Sequence, residues 1–69
     1  MKNLLENISI ATNALWLRHS TAIAEKHGKY RFSLGVNGLG EVILTDFRTM
    51  QDVAKGNRAV QQKIRELAR

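Results

Sequence analysis

The chain contains neither cysteine nor proline, and its aromatic residues are one tryptophan, one tyrosine and two phenylalanines. Without cysteine it has neither a disulfide framework nor a thiolate metal site. Its 69 residues form one domain, 1–69, and a domain of this size buries only about 60% of the surface of its unfolded chain. Good helix packing or oligomerisation must then supply stability, and we expect a dimer.

Long apolar runs are also missing. Leu4 and Leu5 begin an apolar segment, but polar residues from Glu6 to Asn13 interrupt it. The sequence therefore predicts neither a signal peptide nor a membrane span. We expect a cytoplasmic protein with no membrane association.

Acidic residues are few, six against eleven lysines and arginines, which gives a net charge of +5 and a pI near 10.3. This balance favours an anionic partner, which includes nucleic acid, an anionic membrane and an acidic protein surface. The charge balance does not choose among these three partners.

The first element predicted is a helix over residues 3–27. Asn3 with Glu6 three positions later is a variant of the capping box, which marks a helix start. Cationic residues in the last turn, followed by Gly28, mark its end. Its apolar residues cover more than one side, so we expect it to contact more than one neighbour.

A two-stranded antiparallel hairpin is predicted over residues 29–47. Residues 29–36 alternate between apolar and polar, as in a half-buried strand. Asn37-Gly38 favours a two-residue type I′ turn before the returning strand. Alternation places Tyr30 and Phe32 in the core, although stacking on nucleic-acid bases would require exposed rings.

The turn decides which face of the returning strand is buried. A two-residue turn places Ile43 and Phe47 on the core face, whereas a bulge at Gly40 places Val42 and Leu44 there. In either register some apolar surface points away from the first helix, and two strands alone are rarely stable. This is a second indication of self-association.

The last element predicted is a helix over residues 49–68, with Thr49 as its N-cap. Gly56 interrupts it, so we consider a kink there, or a split with Asn57 capping a fresh helix. The predicted architecture is therefore α+β with the order helix, two-stranded hairpin, helix (αββα).

Two rows of residues recur at spacings of three and four in this last segment, on nearly opposite faces of a helix. The apolar row consists of Met50, Val53, Asn57, Val60, Ile64 and Leu67. It fits packing on the hairpin and first helix, or pairing with a second copy in which Asn57 fixes the register. The cationic row consists of Lys55, Arg58, Gln62, Arg65 and Arg69.

The cationic row leads to the functional hypothesis. Residues 53–69 contain five cations and one acid, a net charge of +4. A basic helix face can lie along a phosphate backbone, although long charged side chains also keep a small protein in solution. We predict a non-enzymatic nucleic-acid-binding protein, and the spacing of its polar residues matches no recognition-helix pattern that would indicate base specificity. The predicted contact residues are Lys55, Arg58, Gln62, Lys63, Arg65 and Arg69.

The alternative hypotheses involve protein partners. One is an adaptor or inhibitor of the phage or mobile-element type that docks on an acidic or apolar protein surface. The other is a homo-oligomeric component of a larger assembly. Both use a predicted interface that consists of Trp16, Val42, Leu44 and Asn57.

The sequence indicates no enzyme, metal, cofactor or small-molecule ligand. His19 and His27 are eight positions apart without a neighbouring carboxylate cluster, so they suggest neither a zinc site nor a catalytic triad. The glycines between Gly35 and Gly40 occupy a hairpin turn. They are not followed by the helix and lysine of a phosphate-binding loop.

Overall fold

The computed structural model describes residues 8–69, which form two helices and a three-stranded antiparallel sheet. The bounds are α1 Ile10–His27, β1 Phe32–Val36, β2 Val42–Asp46, β3 Gln51–Lys55 and α2 Asn57–Ala68. The strands are ordered β1-β2-β3 in the sheet. The α+β class is confirmed, but the predicted hairpin is part of a larger sheet and the order is αβββα.

Helix α1 begins later than the sequence predicted. Ser9 is its N-cap, with extended backbone at φ −63° and ψ 154°. The Ser9 hydroxyl accepts the backbone N–H of Thr12 at 3.0 Å, which satisfies one of the open donors of the first turn. The helix predicted from residue 3 is therefore wrong at residues 8 and 9. The capping residues Asn3 and Glu6 lie outside the described part of the chain.

The end of α1 at His27 is where the sequence placed it. Gly28 has φ +120°, and its N–H donates to the Ala24 carbonyl at 2.9 Å. Residues 29–31 then form a turn rather than the first part of a strand, and β1 begins at Phe32. The shorter strand leaves Tyr30 outside the regular alternation, so its predicted burial is wrong.

The β1–β2 loop contains a bulge at Gly40 instead of a two-residue turn. Gly40 has φ +81°, and its N–H donates to the Asn37 carbonyl at 3.0 Å. The Asn37 side-chain oxygen accepts the N–H groups of Leu39 and Glu41, both at 3.0 Å. This pattern is the three-residue hairpin loop with a G1 bulge, and it pairs Val36 with Val42.

The first part of the predicted second helix is a strand. β3 pairs with β2 through Gln51 opposite Asp46 and Ala54 opposite Leu44, with a bulge between. Pairing with β3 occupies the backbone hydrogen-bonding groups on the edge of β2 that a two-stranded hairpin would leave open. This gain outweighs the helical spacing of the apolar residues in the segment. Thr49 accordingly lies in the β2–β3 turn, residues 47–50, and caps no helix.

Gly56 separates β3 from α2. Its φ of +87° changes the chain direction, and its N–H donates to the Val42 carbonyl at 2.6 Å. Its own carbonyl accepts the N–H of Val60 at 2.9 Å, the first hydrogen bond of α2. The helix predicted over 49–68 is therefore wrong before Asn57. Gly56 is the breakpoint considered for a kink or a split, but it separates a strand from a helix, and Asn57 is the first helical residue rather than its cap.

One layer of side chains between the sheet and both helices forms the core. Its fully buried apolar members are Ile23 from α1, Val42 and Leu44 from β2, and Val60 and Ile64 from α2. Both helices therefore pack on the same face of the sheet. Within residues 8–69, neither helix combines the length and apolar character needed to cross a membrane.

Candidate nucleic-acid interface

Burial of one side of α2 determines which side chains face outward. Val60 and Ile64 are completely buried. Positions three, four and seven residues apart share a helix face, so a second row projects away from the core. This row is exposed along its whole length and is named the α2 stripe. It consists of Arg58, Gln62, Arg65 and Arg69.

Side-chain hydrogen bonds fix the beginning of α2 against α1. The Asn57 side-chain oxygen accepts the backbone N–H of Ser9 at 3.0 Å. One turn later, Gln61 Nε2 donates to the hydroxyl of Thr12 at 2.8 Å. Thr12 is fully buried, so this bond satisfies a polar group that would otherwise be costly to bury. Asn57, predicted to fix the register of a dimer, fixes a contact within one chain.

The end of α2 is held by the end of α1. His27 Nε2 hydrogen-bonds to the Leu67 carbonyl at 2.9 Å, and Lys26 Nζ donates to the Ala68 carbonyl at 3.1 Å. The last carbonyls of a helix have no partner within it, and cationic groups near them also favour the helix dipole. The two helices therefore run side by side in the same direction, which holds the α2 stripe in place.

Two cations of the predicted site lie outside the α2 stripe. Lys55 is the last residue of β3, where it is exposed opposite Ile43. Lys63 is half-buried on another side of α2, 3.8 Å from the carboxylate of Glu66. Within residues 8–69, Arg58, Arg65 and Arg69 make no ion pair. The structure thus brings four of the six predicted residues into one row.

Among the cations of residues 8–69, Arg31 has the shortest ion pair. Its Nε and Nη2 each lie 3.2 Å from a carboxylate oxygen of Asp46, and the buried Asp46 also accepts the N–H of Arg48 at 2.9 Å. The hydrogen bond from Arg31 lowers the pKa of Asp46 below 3.8 against the opposing effect of burial. This pair holds one end of the sheet together and adds no free cation.

The predicted partner interface is largely internal. Val42 and Leu44 are buried in the core, and Trp16 is half-buried against it. The prediction that Val42 and Leu44 form an exposed apolar surface for a partner is therefore wrong. The bulge at Gly40 sets a register in which both side chains point into the core. The exposed apolar surface of α1 is elsewhere, at Ile10 and Leu17.

The sequence also missed a group of exposed side chains. Tyr30 was expected in the core but is 78% exposed, and Met50 is 74% exposed. Both lie in turns next to strands, where apolar alternation does not indicate burial. Gly28, which ends α1 just before Tyr30, is the signal that a turn precedes β1.

Residues suited to metal binding are dispersed. Within residues 8–69, no three histidine or acidic side chains form a group that could hold a metal ion. His27 contacts Leu67 and stacks edge to face on Phe32, with ring centroids 5.6 Å apart. Comparisons of the chain with protein families, with curated proteins and with solved structures found no match.

Proposed function

We propose that this chain is a small non-enzymatic nucleic-acid-binding protein that contacts phosphates through the α2 stripe. The observation that carries the proposal is the exposure of Arg58, Arg65 and Arg69 in one row. An arginine guanidinium matches phosphate geometry and forms paired hydrogen bonds with it. The neighbouring Gln62 adds an uncharged donor in the same row.

The dimensions of the row suit a phosphate backbone. Arg69, the C-cap of α2, is eleven positions after Arg58, which corresponds to a length of about 16 Å at about 1.5 Å per residue. Phosphates of one strand follow one another at about 3.4 Å along a nucleic-acid helix axis. The row is therefore long enough for three separate phosphate contacts, and such contacts favour no base sequence.

Direct binding measurements with stripe variants test the proposal. Changing Arg58, Arg65 and Arg69 together to Gln retains helix propensity and removes three positive charges. We expect affinity for a fluorescent 20-mer DNA in low salt to fall at least tenfold, about 1.4 kcal/mol. Circular dichroism establishes that the variant is folded.

The matched control compares two exposed helical arginines. Arg65→Gln changes the α2 stripe, whereas Arg18→Gln removes the same charge from α1. A long-range charge effect would weaken binding equally in both variants. We expect the larger loss for Arg65→Gln, and equal losses would count against a localised site.

The exposed apolar residues of α1 favour a second candidate function, binding to a partner protein or to a second copy. Ile10 is 90% and Leu17 is 67% exposed, and their spacing of seven places them on one helix face. Such a face is typical of a protein contact when it forms a continuous patch. Light scattering measures the oligomeric state of the wild type and of Leu17→Lys. If both are monomers, self-association through this face is ruled out.

A further inference from the structure

Three large apolar side chains are exposed at one end of the sheet. Tyr30 precedes β1, and Phe47 and Met50 lie in the turn between β2 and β3, with exposed fractions of 78%, 49% and 74%. The Phe47 N–H donates to the Arg31 carbonyl at 2.6 Å. This bond places the β2–β3 turn beside the turn that carries Tyr30.

Cations alternate with these side chains. Lys29 Nζ lies 5.6 Å from the centroid of the Tyr30 ring, within the range of a cation–π contact. Arg48 follows Phe47 and is also exposed. We name this surface the aromatic end and define it as Lys29, Tyr30, Phe47, Arg48 and Met50.

Hydrogen bonds to Asp46 hold together the two turns that carry the aromatic end. Asp46 accepts hydrogen bonds from the Arg31 guanidinium and from the Arg48 N–H. One buried carboxylate thus connects the turn before β1 to the β2–β3 turn. Tyr30 and Phe47 are consequently exposed on a fixed frame, which lowers the entropy cost of binding a flat ligand.

The α2 stripe leads to the same end of the molecule. The carbonyl of Leu67, in the last turn of α2, bonds to His27, and the His27 ring contacts Phe32. Phe32 pairs with Asp46, the residue before Phe47. Arg69, at the end of the stripe, is therefore at the end of the sheet where Tyr30 and Phe47 are exposed.

We propose that the aromatic end stacks unpaired bases, so that the partner is a single-stranded polynucleotide. The inference rests on the proposed function, because the α2 stripe supplies the phosphate contacts. Flat rings beside cations are the combination that binds single strands without sequence preference. In a duplex the base faces are already stacked on one another, and only the phosphates would engage the α2 stripe.

The test compares single-stranded and duplex probes of equal length. Anisotropy titrations use three fluorescent 20-mer probes. Two are single strands, one of deoxythymidine and one of uridine, and the third is the deoxythymidine strand paired with its complement as a duplex. The wild-type chain is expected to bind at least one single strand more tightly than the duplex. Tyr30→Ala should weaken single-strand binding by roughly 5- to 150-fold, and the double variant with Phe47→Ala should weaken it further. Both variants should leave duplex binding within about twofold.

Two further variants separate stacking from general loss of apolar surface. Tyr30→Phe keeps the ring and should bind like the wild type. Leu39→Ala removes a side chain that is 86% exposed in the loop at the opposite end of the sheet, and it should also have no effect. If Tyr30→Phe or Leu39→Ala weakens binding as much as Tyr30→Ala, the inference is overturned.

The remaining outcomes distinguish the inference from the proposed function. Preference for the duplex, or full single-strand binding by the folded Tyr30→Ala variant, overturns the stacking site while phosphate binding through α2 stands. Absence of binding to every probe in low salt overturns both. Because Tyr30 is largely exposed, its single substitution keeps the test valid if the double variant fails to fold.

Discussion

At the scale of single residues, Asp46 is, with Thr12, one of the two buried polar residues in the described part of the chain. It is buried, paired with Arg31, and bonded to the N–H of Arg48. Its pKa is lowered chiefly by the Arg31 hydrogen bond, with burial opposing and backbone N–H groups assisting. The Asp46 carboxylate accepts hydrogen bonds from both turns at the aromatic end. These bonds explain how this end of the sheet keeps its conformation although Tyr30 and Phe47 are exposed.

This lowered pKa makes stability depend on pH. Because the folded pKa of Asp46 lies below the unfolded value, its ionised form stabilises the fold above about pH 4, and this contribution is lost as pH falls through the folded pKa. Asp46→Asn should lower the melting temperature near neutral pH. The difference from wild type should shrink as pH falls below about 4, as thermal unfolding followed by circular dichroism can show.

Asp52→Asn is the charge-matched control for this experiment. Asp52 is exposed and accepts one hydrogen bond, from the Thr45 hydroxyl at 3.2 Å. Its substitution should change the melting temperature less than Asp46→Asn does. A difference between Asp46→Asn and wild type that stays constant down to about pH 2 would contradict the account of Asp46.

At the scale of elements, the junction between β3 and α2 sets the position of the candidate site. Gly56 adopts φ +87° and ψ 150°, a region almost restricted to glycine. The change of direction there lets β3 pair with β2 while α2 packs across the sheet. The α2 stripe starts two residues after this junction, at Arg58.

Gly56→Ala should destabilise the fold by about 1–3 kcal/mol. The added Cβ meets no heavy atom within 4 Å, so the cost comes from the backbone conformation alone. Chemical denaturation measures the change in the free energy of unfolding. A helix continuous through Gly56 would instead be stabilised by roughly 1 kcal/mol by the same substitution, so a stabilised variant would contradict the observed junction.

Gly35→Ala is the matched control. Gly35 lies within β1, has ordinary backbone conformation, and also has open space around its Cβ position. Its substitution should change stability by no more than about 0.5 kcal/mol. Similar losses for Gly35→Ala and Gly56→Ala would show that the positive φ is not the cause.

The end of α1 and the buried side of α2 could be predicted because neighbouring residues in the sequence determine them, whereas β3 could not. Gly28 ends α1, and the spacing of Val60 and Ile64 marks the buried side of α2. Residues 51–55 also fit a helical spacing, but they become a strand because β2 has an edge to pair. That choice depends on contacts between distant parts of the chain, which periodicity does not record.

The same division applies to the candidate site. The α2 stripe was predicted because its four residues lie on one helix, whose geometry fixes their relative positions. Lys55 was assigned to that helix but belongs to β3. Tyr30 and Phe47 are brought together by a turn pairing that no local pattern indicates, so the aromatic end was not predicted.

At the scale of the whole molecule, the fold separates a buried face of α2 from an exposed cationic row. The parallel contact between the helices fixes both ends of α2, through Asn57 at the start and Leu67 at the end. The row runs toward the end of the sheet that carries the exposed aromatic residues. Phosphate binding by this row is the central functional claim.

The salt dependence of binding tests that claim most directly. Affinity of the wild type for a single-stranded 20-mer should fall with a log–log slope steeper than about −2, since each phosphate contact contributes about −0.7. Changing Arg58, Arg65 and Arg69 to Gln should make the slope shallower by about 2. An unchanged slope in the folded triple variant would contradict phosphate binding through α2.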